Sequence, residues 1–150
     1  MLYPQRVGAL HLAAAGRYCL PDETMAYPYG LAADDDGKTM LWARRMRARL
    51  RAFLNRPVHL YIGTEDTARD ETLRQAPALD ALQGSTRHAR AHHDAAALWA
   101  AAQAAGLPDR VSLTELPGCT HDVAWTIDTA GLARMVAAPG RAARRLAAAV

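Results

Sequence analysis

Residues 57–66 read PVHLYIGTED. Val58, Leu60 and Ile62 alternate with His59 and Tyr61 until Gly63 breaks the run. A period of two built on β-branched and aromatic residues is a strand pattern. The acids that follow sit in the loop at its C-terminal end. Upstream, KTMLWARRMRARLRAFLN (38–55) changes period. Leu41, Met46, Leu50, Phe53 and Leu54 fall near one helical stripe, arginines fill the rest, and Asn55 closes the helix before Pro57. Further upstream, VGALHLAAAG (7–16) alternates and then turns small and apolar, the pattern of a buried strand with close backbone neighbours. Between them lies RYCLPDETMAYPYGLAADDDG (17–37), rich in Pro, Tyr and Asp. A loop of this length inside a compact domain is usually functional.

Downstream of the central strand, residues 66–84 are polar and irregular, with room for a short helical turn. STRHARAHHDAAALWAAAQAAG (85–106) is a helix, with Ser85 or Thr86 as cap and Gly106 as stop. RVSLTELPG (110–118) is the next strand, and a helix over about 128–149 closes the chain, broken at Pro139-Gly140. Strands alternating with helices imply right-handed crossovers and a parallel sheet. The expectation is one α/β domain over residues 1–150: a three-layer arrangement of about three parallel strands, flanking helices and a flap over about 17–37.

The composition fits such a domain. Of 150 residues, 51% are hydrophobic and 22% charged, so the chain is globular in character. Much of the apolar share is alanine, so the core must rest on Leu, Val, Ile, Met and Trp positions, with Trp42, Trp99 and Trp125 expected to pack inside. The net charge of +3 is mild and comes mostly from arginines spread along helices. It indicates no nucleic-acid partner, and RRMRARLR (44–51) reads as an exposed helical face without a base-stacking set. No apolar run approaches the roughly 20 residues of a membrane span, so no membrane partner is expected. The two cysteines, Cys19 and Cys119, cannot make a disulfide framework, which favours a reducing compartment such as the cytoplasm.

In open parallel sheets the working residues gather at the C-terminal ends of the strands. Two such ends carry ionisable groups: Asp66 in GTED and His121 in GCTHD. A carboxylate that fixes a histidine's tautomer lets the imidazole activate a nucleophile. An acid followed by a histidine, each on a post-strand loop, is the later part of the Ser…Asp…His order of α/β-hydrolases. Asp70 is a substitute acid, ranked second because Asp66 sits closer to the strand end.

Several stretches strengthen that reading. LYPQRVGALHLAAAG (2–16) resembles the segment after the nucleophile helix of α/β-hydrolases. AAAGRYCLPD (13–22) followed by YPYGL (27–31) resembles the flap of bacterial serine hydrolases related to polyhydroxybutyrate depolymerases and feruloyl-type esterases. GTEDT (63–67), Gln83-Gly84 followed by Arg87 and Arg90, and LPGCTHD (116–122) fit that family in order and spacing. The resemblance runs from about residue 2 to about residue 137. It implies Asp66 as triad acid, His121 as triad base, and hydrolysis of an ester or related acyl bond. Arg17 stands where most relatives carry an aromatic residue. Tyr18, Tyr27 and Tyr29 either line an acyl or aromatic pocket or pin the flap by packing and hydrogen bonds; the sequence leaves both open.

The nucleophile does not accompany them. The two serines, Ser85 at a helix start and Ser112 inside a strand, lie outside any G-x-S-x-G elbow. By the resemblance the elbow belongs about one helix before residue 2. The chain is therefore expected to hold the acid–base portion of a serine hydrolase and to be inactive alone. The rival reading is a non-catalytic remnant or interaction module that keeps the fold and has lost the chemistry. Cys119 is read as an ordinary loop residue, because a neighbouring loop position seldom aligns a thiol with His121. A first strand without an outer neighbour is expected to be an open apolar edge, prone to self-association.

Two further clusters have bland readings. His88 and His92 lie four apart on one helix face, a spacing that can hold a metal. The Glu of HExxH is absent and no cysteine or acid is obviously placed as a further ligand, so a solvated basic surface is expected and neither metal nor cofactor. ADDDG (33–37) reads as a solvated turn and helix entry.

Overall fold

The computed structural model describes residues 1–34 and 37–137. After a short 3-10 turn at Pro4–Arg6 come β1 (Leu10–Ala13), α1 (Met40–Leu54), β2 (Val58–Gly63), α2 (Pro77–Gln83), α3 (Arg87–Ala104), β3 (Val111–Leu116), α4 (Val123–Asp128) and α5 (Leu132–Ala137). The strands form one parallel sheet in the order β1-β2-β3, with Leu12 opposite Leu60 and Leu60 opposite Leu113. The expected α/β arrangement of three parallel strands is therefore the one observed. β2 lies in the middle and β1 at an edge.

Alternation along β2 separates two cores. Val58, Leu60 and Ile62 face α1 and α3 and pack with Phe53, Leu54, Ala91, Leu98, Ala102 and Leu113. Each Val, Leu, Ile or Phe side chain among them, fully buried, contributes roughly 1.5–3 kcal/mol. Tyr61 points the other way and joins Leu116, Cys119 and Leu132 in a smaller cluster under α5. That second face also carries a polar row across the register. His11 and His59 stack with ring centroids 4.8 Å apart, His59 Nδ1 meets Ser112 Oγ at 2.8 Å, and His11 Nδ1 meets Tyr61 Oη at 3.0 Å.

The caps follow residue chemistry. Thr86 Oγ1 accepts from the Ala89 N–H at 3.1 Å and starts α3. Gly106 ends it with φ +63, a conformation that costs glycine nothing.

Three expectations change. All three tryptophans are exposed by 40% or more, although core packing was expected for them. In each case the inward position belongs to a neighbouring residue: Ala43, Leu98 and Thr126 are buried, and roughly 100° of helical rotation turns the preceding or following indole outward. Leu41, expected in the stripe of α1, is exposed for the same reason, while Ala43 and Met46 are buried. The closing helix over 128–149 is replaced, as far as residue 137, by α4 and α5, separated by a break where Gly131 takes φ +77. The remainder of that helix and its Pro139-Gly140 kink lie outside the described residues. Among the described residues no helix is long and apolar enough to cross a membrane.

Candidate active site

The loops after β2 and β3 are laced together. The Glu65 N–H donates to the Cys119 carbonyl at 2.9 Å, the Thr64 N–H to the Leu116 carbonyl at 3.1 Å, and the Gly118 N–H to Thr64 Oγ1 at 2.9 Å. The close approach requires Gly63. A Cβ there would stand 2.1 Å from the Cys119 carbonyl oxygen, well inside contact distance. This lacing puts the two ionisable tips side by side.

His121 Nδ1 lies 3.1 Å from Asp66 Oδ2 across 55 residues of sequence. The Asp66 side chain is fully buried and that of His121 is 33% exposed. With Nδ1–H donating to the carboxylate, Nε2 becomes the acceptor nitrogen, the tautomer a general base needs. Beside the pair lies a small depression at the ends of β1 and β2, lined by Ala13, Ala14, Gly63, Thr120 and Val123 among others. Ala14 takes φ 48, in the left-handed region, as the chain leaves β1.

Asp70 is engaged elsewhere. Arg87 donates to both of its carboxylate oxygens, at 3.1 and 3.0 Å, and to Thr72 Oγ1. These contacts, the Arg87 hydrogen bond first and Thr72 next, hold its carboxyl far below the usual carboxylate range. Arg87, itself buried, also reaches within 3.7 Å of Asp66 Oδ1, the oxygen facing away from His121. Of the two candidate acids, only Asp66 meets the imidazole.

Arg87 and Arg90 are site-organising residues whose roles the sequence did not disclose. Arg90 is wholly buried. It donates to the carbonyls of Gly84 at 2.8 Å and Arg74 at 3.0 Å, to the Gly16 carbonyl, and to Asp80 Oδ1 at 2.6 Å. One side chain thus ties the end of β1, the loop before α2 and the start of α3. The signal available in the sequence is the i, i+3 spacing of Arg87 and Arg90, which puts them on the helix face that also buries Ala91 and Asp94. Asp94 itself is pushed up to about 7 by burial.

The flap tyrosines divide. Tyr18 is buried in the main core, and its backbone N–H and carbonyl are both held by the Gln83 amide, at 3.0 and 2.7 Å. Its position is that of a pin for the flap. Tyr27 and Tyr29 are half-buried, and their backbones shape the flap turn through Tyr27 N–H to the Ala32 carbonyl and Leu20 N–H to the Tyr29 carbonyl. Cys119 is buried, its Sγ 3.8 Å from the Pro117 carbonyl, so the thiol packs under the loop. His88 and His92, read as a solvated face, converge on Glu115 of β3.

Comparison with protein-family models and with curated proteins gives no match. Solved structures do match. A poly(aspartic acid) hydrolase-1 from Sphingomonas sp. KT-1 superposes with a TM-score of 0.67 and 27% identity over 90% of this chain and 46% of its own. LpqC, a poly(3-hydroxybutyrate) depolymerase from Bordetella parapertussis, gives 0.61 and 30% identity over 85% of this chain and 45% of its own. The chain spans under half the length of either. With its parallel sheet, flanking helices and these likenesses, the chain has the fold of part of an α/β-hydrolase.

Proposed function

We propose that this chain is the acid–base portion of a serine hydrolase that cleaves carboxylic esters or related acyl bonds, with His121 as general base and Asp66 as its orienting acid. One observation carries the reading: the Nδ1–Oδ2 contact of 3.1 Å between a buried carboxylate and a half-open imidazole on the tips of adjacent parallel strands. The likeness to two hydrolases supports it. Arg87 supports it too, by occupying Asp70 and leaving Asp66 to the histidine.

The nucleophile comes from a G-x-S-x-G elbow that these 150 residues do not contain. A serine hydroxyl placed against Nε2 gives its proton to His121 as its oxygen attacks the acyl carbon. The imidazolium, steadied by Asp66, then protonates the departing alcohol or amine. Water repeats the cycle to free the enzyme.

The test is hydrolysis of p-nitrophenyl butyrate by the chain alone and by the chain with an elbow-bearing segment supplied in trans. The expected result is no turnover alone and turnover in the mixture that His121→Ala abolishes. Turnover by the chain alone that depends on His121 overturns the missing-nucleophile part. A mixture that assembles, as sedimentation would reveal, yet stays inert favours a non-catalytic module.

A further inference from the structure

We propose that His88, His92 and Glu115 form a binding site for one divalent transition-metal ion of the zinc class, clamping α3 to β3. The two histidines stand one turn apart on α3, with ring centroids 4.6 Å apart. His88 Nε2 lies 2.9 Å and His92 Nε2 3.0 Å from the same Glu115 oxygen. All three ligand atoms lie within 4.8 Å of one another.

The donor set selects the ion. Two imidazole nitrogens and one carboxylate oxygen suit zinc and its neighbours, whereas calcium and magnesium want oxygen alone. A tetrahedral zinc with ligands about 2.0–2.1 Å away sets its donor atoms about 3.3 Å apart. The observed N–O distances need a few tenths of an ångström of opening, and the two imidazole nitrogens, within 4.8 Å of each other, must draw together toward that spacing by side-chain rotation. The side chains are 28%, 34% and 40% exposed for His88, His92 and Glu115, so an ion can enter and keep water at its remaining position. Both elements that present the ligands are regular: α3 is capped by Thr86, and β3 is paired with β2 along its length.

The site shares no ligand with His121 and Asp66, yet it is joined to them. The His88 N–H donates to the Asp66 carbonyl at 3.2 Å. An ion held here fixes the first turn of α3 against the last residues of β3, between the two laced loops.

The experiment is calorimetric titration of the metal-free 150-residue chain with zinc chloride, alongside cobalt substitution read by visible absorption. Expected are one ion per chain, a tetrahedral cobalt spectrum, and a melting midpoint that rises with zinc and falls back with EDTA. Loss of an outer partner alone weakens metal sites by about 10–100-fold, so His88→Ala and His92→Ala should each cost at least on the order of tenfold. Glu115→Gln, which keeps the shape of the side chain, tests the third ligand should a histidine variant fail to fold. His121→Ala should bind as the parent does. The proposal is overturned if zinc does not bind, if the His88→Ala/His92→Ala double variant binds unchanged, or if His121→Ala is the variant that loses the ion.

Discussion

Arg87 grips Asp70 through both terminal nitrogens, at 3.0 and 3.1 Å, and stands 3.7 Å from the outer oxygen of Asp66. One buried guanidinium thereby sorts two acids four residues apart. Asp70 becomes a structural counter-ion, and Asp66 is the acid in contact with His121.

That sorting gives opposite outcomes for two similar substitutions. In the complemented hydrolase, Asp66→Asn should reduce kcat on the order of 10^4-fold, because the amide selects the wrong imidazole tautomer. Asp70→Asn should leave kcat within about tenfold but lower the melting midpoint, since it removes the two-pronged carboxylate partner of a buried arginine. Steady-state kinetics and thermal melts of both variants check the pair; equal kinetic losses would reassign the acid.

Arg90 is expected to matter for stability rather than chemistry. Its guanidinium serves three carbonyls and the Asp80 carboxylate with no exposed surface. Arg90→Ala should cost about 2–5 kcal/mol by deleting a fully buried side chain together with its donors to three carbonyls and to Asp80, which keeps Arg69 as a partner. Arg90→Lys should recover little, because an ammonium cannot span the same fork of acceptors. Urea unfolding of both variants measures the difference.

Gly63→Ala probes the lacing of the two loops. The new methyl would press on the Cys119 carbonyl, which must shift to admit it. The expected cost is about 1–3 kcal/mol. The His121 loop should move with it, so the imidazole resonances of His121 should change although residue 63 does not touch them.

Asp94 makes stability depend on pH. Its folded value of about 7 lies above the ordinary 3.8 because burial penalises the charged form. A group raised in the folded state contributes stability that is complete below its unfolded pKa and lost as pH rises through the folded one. Between about pH 4 and 8 the parent should therefore lose on the order of 3–4 kcal/mol relative to Asp94→Asn. Denaturant melts across that range read the difference directly, and parallel curves would show that Asp94 does not titrate in the fold.

What the sequence made legible was periodic or local. The three strands, α1 and α3 follow from alternation and helical stripes, and Asp66 and His121 from their places just past strand ends. Contacts across sequence distance were not legible. Glu115 lies 27 and 23 residues from His88 and His92, on another element, so no spacing rule links them. Arg87 and Arg90 stood out only as part of a family pattern, and their burial was not legible because it depends on which carbonyls and acids the loops turn toward them. The tryptophans misled because an indole one position off a buried stripe faces outward however apolar it is.

The central place of β2 has a consequence for how the molecule loosens. Its amides are engaged along both sides, while β1 and β3 each have one partner in the sheet. Hydrogen exchange at Leu60 and Ile62 should report only the deepest opening of the protein, whereas β1 frays from the rim. The strand from which the Asp66 loop departs is thus the last part to melt, and thermal wear begins at the border where Leu10 and Leu12 lie.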